Sequence, residues 1–176
     1  MGRIVPVSAS VSPGQFITGA LWNAQLKALN DFTTGVPVFA GYQGTVQSVS
    51  TGTFTPLTID TEVIDSDGGH STTTNTSRYT ATVPGTYLVL GTAAWAANAT
   101  GYRRTSIALN GTRVPGSSVG SDATTSVLAG NSTSTIVVLN GTTDYVEVHA
   151  SQSTGSALNT SVTDFAPSLR VIWLSR

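Results

Sequence analysis

Apolar and polar residues alternate along most of the chain in short runs that are separated by turn residues. The longest run extends from Tyr79 to Trp95 and is interrupted by Val83, Pro84 and Gly85. Proline fixes its own φ and favours extended geometry at the residue before it, while glycine can adopt the positive φ that such turns require. The stretch therefore predicts two strands joined by a turn. The second strand is apolar on both faces, so we expect it to be covered on both sides.

Similar short runs recur between turns that contain Gly, Asn or Pro. Asn110-Gly111 is the strongest hairpin signal among them. Residues 115–121 and 151–160 are polar and are interpreted as loops. Many short strands with frequent turns predict a mainly β fold, an antiparallel jelly-roll sandwich of about 8–10 strands. The predicted strands are 38–42, 45–49, 54–64, 77–82, 86–95, 102–109, 111–114, 124–129, 134–139, 144–150 and 168–174.

One segment near the N-terminus has helical periodicity. Residues 1–17 predict an extended or irregular arm, and Thr18 is a suitable N-cap for a helix over residues 19–32. A helix of about 14 residues is not stable alone, so its apolar face must pack either on the base of the jelly roll, on a larger particle or on other copies of the helix. We therefore divide the chain into an arm and helix (1–35), for attachment or as a trimer base, and a jelly-roll domain (36–176). The apolar helix face comprises Leu21, Trp22, Leu26, Leu29 and Phe32.

The composition narrows the classes of partner. Charged residues make up 10% of the chain, whereas about 25% is typical, so the surface is neutral and rich in hydroxyl groups. The net charge of −1 leaves no basic patch to neutralise phosphates, which excludes nucleic acid as the expected partner. The few scattered Lys and Arg residues also argue against electrostatic docking to a membrane.

The absence of cysteine excludes disulfides and thiolate metal sites, so stability must come from packing and assembly. The N-terminal sequence has no apolar signal-peptide region, and no run reaches transmembrane length. We therefore expect synthesis in a host cytoplasm and no insertion into a membrane.

The spacing around the turn resembles the signature of the complement globular-head domain, which belongs with the tumour-necrosis-factor-like jelly rolls. Tyr79 is followed after five residues by Gly85, then by Tyr87 and alternating apolar positions. Leu90 and Gly91 depart from the pattern, because animal members tend to carry aromatic residues there. Other segments resemble the family over roughly residues 40–176: the Gly-His loop 67–70, the strand and hairpin 104–112, and the strands and turn 136–149.

Two segments, 75–78 and 95–101, are most similar to versions of this domain found in tailed-bacteriophage virion structural proteins. The resemblance implies a tight trimer, in which the second faces of three sandwiches meet around an axis. The residues support this independently: Ile136 and Val138 alternate with Val137 and Leu139, so a second apolar face needs a cover beyond the sandwich core. Core or trimer-interface positions are expected at Tyr79, Tyr87, Val89, Trp95, Tyr145, Val146, Val148 and Trp173.

Residues that could carry chemistry are few. His70 and His149 are the only histidines, and no nucleophile elbow, phosphate loop or paired-histidine metal motif occurs, so we expect no enzyme. Asp65 and Asp67 resemble the start of a calcium loop, but the later carboxylates are missing, so a solvated turn without cofactor is the prediction and calcium is a weak candidate. Tyr102, beside Arg103 and Arg104, can stack on a sugar or contact a partner; the alternative is that it begins a strand whose arginine side chains face solvent.

These features together predict a structural protein of a tailed-bacteriophage virion. The expected form is a homotrimeric jelly roll on the virion surface, anchored to other capsid or tail proteins through its N-terminal arm and helix. It would serve as a capsid decoration or head fibre, or as a minor tail or tail-fibre tip protein, and its distal loops could contact a host cell-surface glycan. The alternative is a soluble, trimeric, lectin-like module that binds carbohydrate or protein.

Overall fold

The computed structural model of the chain describes residues 3–8, 10, 12–123 and 129–176. Two antiparallel sheets pack face to face, and a short helix and an extended arm precede them. The prediction of a mainly β antiparallel sandwich with one N-terminal helix is confirmed. Its strands, numbered along the chain, are β1 Val38–Tyr42, β2 Ser48–Val49, β3 Thr55–Pro56, β4 Thr61–Asp65, β5 Arg78–Thr80, β6 Gly85–Trp95, β7 Tyr102–Leu109, β8 Thr112–Arg113, β9 Val119–Asp122, β10 Ala129–Leu139, β11 Tyr145–Gln152, β12 Leu158–Asn159 and β13 Ser168–Ser175.

The strands form two main sheets. Sheet I has five strands in the order β10-β6-β13-β1-β4, and sheet II has the path β3-β11-β7-β8, with β5 paired to β11 and β9 paired to β7. All the pairings between these strands are antiparallel. The short strands β2 and β12 pair with each other beside the sandwich. Because β6 pairs with β10 along its whole length and with most of β13, it organises sheet I.

The core lies between the two sheets. Alternate residues of sheet I, such as Tyr87 and Val89, point inward and pack against Val146 and Val148 of sheet II, and all four are fully buried. Strand alternation accounts for this arrangement, because every second side chain of a strand faces the same side. The other large, fully buried apolar side chains of the described core are Phe39, Leu57, Ile59, Tyr79, Trp95, Ile107, Leu139 and Leu169.

The predicted turn before β6 is present. Gly85 has φ +153°, and a Cβ atom there would overlap the indole Nε1 of Trp173. The Tyr87 hydroxyl donates a hydrogen bond of 2.6 Å to the carbonyl oxygen of Val83, which joins the turn to the core. At the second predicted turn, Asn110 and Gly111 have φ +51° and +78°, the positive values that a tight two-residue hairpin requires.

Some predicted strands were wrong in extent. A single strand over 54–64 is replaced by β3 in sheet II and β4 in sheet I, and between them Leu57 and Ile59 are buried where the chain crosses from one sheet to the other. The predicted loop 115–121 contains most of β9, and the predicted loop 151–160 contains the end of β11 and all of β12. Of the predicted strand 124–129, all but the last residue lies outside the described residues.

The helical segment begins and ends close to its predicted bounds. It comprises α1 Gly19–Trp22, a π-helical segment Asn23–Lys27 and α2 Ala28–Thr34. Thr18 is the N-cap, and its Oγ1 accepts a hydrogen bond of 3.1 Å from the backbone N–H of Leu21. Phe32 is the one buried residue of this segment, and its ring meets that of Trp173 edge-on, with centroids 4.8 Å apart.

The two ends of the sandwich differ. The base carries the helix, the N-terminal arm and the turn that precedes β6. The Arg3 guanidinium attaches the arm there, with donor–acceptor distances of 2.6 and 2.8 Å to the two carboxylate oxygens of Asp67. The distal end carries the polar loops 96–101 and 153–157. Strand β6 runs from the base into loop 96–101, and β11 ends beside the start of β7, at the same end of the sandwich. An 11-residue strand separates the two ends.

Tyr79 and Tyr87 provide a matched test of this core. Both are fully buried, but the Tyr79 hydroxyl has no hydrogen-bond partner among the described residues. Burial raises the pKa of both phenols, that of Tyr87 to about 12. We expect Tyr87→Phe to lower the free energy of unfolding by about 1 kcal/mol, because the Val83 carbonyl loses its donor, and Tyr79→Phe to leave it unchanged or raise it.

Urea unfolding of both variants and the wild type measures this difference. An equal loss of stability in the two variants would contradict the described hydrogen bonding.

Candidate interaction surfaces

One face of sheet I turns away from the core and is left largely open by the described residues. An apolar row crosses four of its strands, because Ile136 pairs with Leu88, Leu88 with Ile172 and Ile172 with Val38. Ile136 is 61% exposed and the neighbouring Val138 is 71% exposed. We call this surface the outer face of sheet I. Its side chains on the five strands include Val38, Ala40, Tyr42, Ile64, Thr86, Leu88, Leu90, Thr92, Ser132, Ser134, Ile136, Val138, Ser168, Arg170, Ile172 and Leu174.

The outer face changes character from the base to the distal end. The row from Ile136 to Val38, near the base, is apolar, whereas the row nearest the distal end joins Ser132, Thr92, Ser168 and Tyr42. Large exposed apolar patches on soluble proteins usually mark interaction sites. The basal half of this face therefore has the character of a protein–protein interface, with a hydroxyl-rich margin toward the distal end.

The N-terminal helix presents a second open apolar surface. Trp22, Leu26 and Leu29 are 53%, 49% and 39% exposed, and with Leu21 and Ile17 they line a groove of about 260 Å³. Of the five residues predicted on one helix face, Phe32 alone is buried against the jelly roll. The helix is thus attached at its C-terminal end, and most of its apolar face remains available. We call the half-buried Leu21 and the exposed Trp22, Leu26 and Leu29 the helix face.

Neither protein-family profiles nor curated protein sequences match this chain. Solved structures do: the globular domain of zebrafish complement 1qA protein has a TM-score of 0.59 at 14% identity, covering 80% of this chain and 98% of that one. The fold is a jelly roll of the C1q and tumour-necrosis-factor type. Murine APRIL has TM-scores of 0.59 at pH 8.5 and 0.58 at pH 5.0, with 14% and 13% identity; both structures cover 78% of this chain and 98% of their own.

This likeness confirms the resemblance to the C1q and tumour-necrosis-factor type at the level of the fold. The closer similarity to bacteriophage versions stays a prediction. Among the described residues, no helix combines the length and the apolar character needed to cross a lipid bilayer.

The residues predicted for the core or a trimer interface fall into two groups. Tyr145 is half-buried on the outer side of sheet II, where the Arg78 guanidinium carbon lies 4.1 Å from its ring centroid, and Trp173 is half-buried beneath Phe32. None of the eight lies on the outer face of sheet I. The outer face of sheet I is formed instead by the residues that alternate with the buried ones along the strands, such as Leu88. The six that are fully buried in the sandwich core are Tyr79, Tyr87, Val89, Trp95, Val146 and Val148.

The weak metal candidates already have protein partners. Both oxygens of Asp67 accept hydrogen bonds from Arg3, and Asp65 accepts from the backbone N–H groups of Gly69 and His70 at 3.2 and 2.9 Å. Burial alone would raise the pKa of Asp67, but the hydrogen bonds from Arg3 and Ser66 hold it below its ordinary value. Among the described residues, no group of three or more His, Cys, Asp or Glu could hold a metal ion. These carboxylates therefore stabilise the base.

His70 holds neighbouring backbone segments together. Its Nδ1 and Nε2 each lie 2.7 Å from a carbonyl oxygen, those of Arg78 and Ile59. Because both ring nitrogens contact the backbone, this side chain connects β5 to the segment that precedes β4. The contacts describe a structural histidine in the loop region at the base.

His149 belongs to a polar cluster that sequence analysis did not find. Its Nε2 lies 3.0 Å from Oε2 of Glu147, whose Oε1 accepts a 2.7 Å hydrogen bond from the Ser77 hydroxyl. Burial raises the pKa of Glu147, but hydrogen bonds from His149 and Ser77 outweigh this effect and lower the pKa below its ordinary value. Ser77 donates to the carboxylate and not to the histidine, so the serine–histidine contact of a catalytic triad is not made in this cluster. The cluster anchors the start of β5 to β11.

A buried arginine holds the distal loop 96–101. Arg103 is fully buried, and its guanidinium donates hydrogen bonds of 3.0 Å to the carbonyl oxygens of Asn98, Thr100 and Tyr102. Burial lowers the pKa of this guanidinium, which has no carboxylate partner among the described residues. The positive charge is therefore compensated by backbone dipoles, which ties the loop to β7.

Beside this loop lies a polar groove of about 450 Å³. It is lined by Tyr102, Arg104, Gly120, Ser121 and Asp122. The Arg104 guanidinium carbon is 4.3 Å from the Tyr102 ring centroid. An aromatic ring, a carboxylate and a guanidinium are the groups with which proteins contact sugars. Tyr102 thus lies in a groove at the distal end; of the two arginines beside it, Arg104 is exposed, whereas Arg103 is buried and does not face solvent.

We expect Arg103→Met to lower the free energy of unfolding by roughly 2–4 kcal/mol, because it leaves buried carbonyl groups without donors. Arg104→Met is the matched control: Arg104 is the next residue of the same strand, but it is exposed. Its loss is expected to change the free energy of unfolding by about 0.5 kcal/mol or less. Chemical denaturation of both variants measures this difference, and equal effects would contradict the anchoring role of Arg103.

Proposed function

We propose that the chain is a structural protein of a tailed-bacteriophage virion, a homotrimeric jelly roll displayed on the particle surface and anchored through its N-terminal arm and helix. The observation that carries this proposal is the presence of two open apolar surfaces on one small jelly roll. The outer face of sheet I is suited to copies of the same chain, and the helix face is suited to the particle.

The trimer is supported by the outer face of sheet I. Water contact with apolar surface costs roughly 25 cal/mol per Å², so the row from Ile136 to Val38 favours association. A second copy is a suitable cover because the face is neutral over most of its area and the net charge is −1, which produces little repulsion between copies. Copies that meet through a repeated heterologous contact can close into a ring. The resemblance to the C1q and tumour-necrosis-factor type favours a ring of three.

Anchoring is supported by the position of the helix. The helix and arm sit at the base, and the loops rich in hydroxyl and amide groups sit at the opposite end. A particle that held the helix face would therefore present these loops outward. The helix is connected to the jelly roll by few contacts, chiefly Phe32 with Trp173, so its remaining apolar surface can be buried elsewhere.

Two locations on the virion fit this arrangement. One is the capsid, as a decoration or head-fibre protein, and the other is the tail, as a minor tail or tail-fibre tip protein. The phage assignment is supported by the sequence resemblance in residues 75–78 and 95–101. In either location, the groove beside Tyr102 and the distal loops would be the surface for contact with a host cell-surface glycan.

The second candidate function is a soluble, trimeric, lectin-like module. It is favoured by the Tyr102 groove, whose groups suit a carbohydrate without any particle. The two functions differ in what the isolated protein binds. A lectin binds a defined sugar in the isolated state, whereas a decoration protein binds the shell of its particle.

We expect Ile136→Asp to convert the trimer to a monomer that keeps its fold, because Ile136 is 61% exposed in the protomer and a charge at the interface core would be desolvated on assembly. Val46→Asp is the matched control, since Val46 is 48% exposed, lies in the loop after β1 and is not one of the residues of the outer face. Light scattering after size-exclusion chromatography measures the mass of each variant. A wild-type monomer, or a trimer that tolerates Ile136→Asp, would contradict the proposed interface.

The anchoring role is tested with Trp22→Glu/Leu26→Glu, which places charges on the helix face. We expect this variant to form trimers in solution but to be absent from purified phage particles made with it, as measured by mass spectrometry. Asn23→Glu adds a charge to an exposed position of the same helix and is expected to be incorporated like the wild type. Absence of the wild-type chain from the particles would overturn the virion assignment.

A further inference from the structure

Arg170 is the one charged side chain on the outer face of the three central strands of sheet I. In its row it pairs with Leu90 of β6 and Ala40 of β1, which are both apolar. Its only hydrogen bond in the described structure is the 3.0 Å contact that Nη1 donates to Oγ of Ser168. No carboxylate of the described residues lies within ion-pair distance. An exposed guanidinium thus projects from the middle of a face that is otherwise apolar or hydroxyl-bearing.

Grooves lie on both sides of this guanidinium. One, of about 520 Å³, is lined by hydroxyl and apolar groups on the side of β6 and β10. The other, of about 380 Å³, is bordered by Arg170, Tyr42, Ser168 and Asp164. Asp164 is exposed and has no hydrogen bond or ion pair to the described chain. Two opposite and unpaired charges therefore border one concavity at the margin of the outer face.

Assembly through the outer face, on which this inference rests, changes the environment of both charges. Moving an ion out of water costs several kcal/mol, and the cost is recovered only with a well-placed partner. In a cyclic trimer each contact joins one patch to a different patch of the next copy. We propose that Arg170 of each protomer pairs with Asp164 of the adjacent protomer, so that a ring of three identical ion pairs closes around the assembly.

This ring of ion pairs specifies how the copies are arranged, which an apolar face alone does not. The row from Ile136 to Val38 is complementary to many arrangements of a second copy, because apolar contact is not directional. An ion pair between two defined positions allows one relative position of neighbouring copies and one handedness of the ring, as polar groups do in other oligomer interfaces. Arg170 and Asp164 would thus select the closed trimer over open chains of copies.

The absence of native cysteine permits a direct test. The double variant R170C/D164C, oxidised as the full-length protein, is expected to run as a covalent trimer on a non-reducing denaturing gel. Pairing within one chain would give a covalently closed monomer. R170C and D164C alone control for unspecific oxidation, and neither can form the closed covalent trimer.

Charge exchange is a second measurement that does not depend on disulfide geometry. We expect R170D and D164R each to weaken the trimer roughly a hundredfold or more in its dissociation constant, and the exchange variant R170D/D164R to restore most of that loss. Sedimentation equilibrium measures all three variants beside the wild type.

The outcomes separate this inference from the proposed function. A monomeric wild type overturns both. A trimeric wild type whose dissociation constant is unchanged in R170D and D164R, or whose double-cysteine variant closes within one chain, overturns the ion-pair ring and leaves the trimer in place.

Discussion

Sheet I is apolar on both of its faces, and the rest of the structure depends on this constraint. Along β6, Tyr87 and Val89 point into the sandwich, while Leu88 and Leu90 point away from it. Sheet II covers the first set. The described residues place no second layer over the other set, and this open apolar set is the basis of the proposed trimer. The fold thus leaves one large apolar surface that its own second sheet does not cover.

Two arginines help to fix the ends of the sandwich. At the base, Arg3 ties the arm to Asp67, and at the distal end Arg103 ties a loop to β7 through backbone carbonyls. With these groups held internally, the base offers apolar surface and the distal end offers hydroxyl and amide groups. This difference between the two ends agrees with a module that is anchored at its base and exposes its distal end.

The sequence was sufficient to predict the sandwich, the helix cap at Thr18 and the turns at Gly85 and Asn110-Gly111, because these depend on local preferences. It could not assign the two faces of sheet I, since Leu88 and Val89 are equally apolar and only pairing with a second sheet separates them. The short strands β9 and β12 lack an alternating pattern and form through their partners β7 and β2.

The sites were less predictable than the fold. In the Ser77–Glu147–His149 cluster, Glu147 and His149 alternate on one face of β11, but Ser77 is distant along the chain, so the strand pattern alone could not reveal the cluster. Asp67 resembled a metal ligand because its partner, Arg3, lies in an arm without regular structure. The role of Arg170 could not be predicted from the sequence, because it depends on the neutral residues that lie on both sides of Arg170 in the folded sheet.

The most direct test of the central claim is hydroxyl-radical footprinting of the intact wild-type protein, read residue by residue by mass spectrometry. If copies cover the outer face of sheet I, Leu88, Ile136 and Ile172 react much more slowly than their exposure in the protomer implies, while Val46 reacts at the rate expected for an open side chain. Rates at Ile136 equal to those at Val46 would show that the face is open to water and would contradict the account.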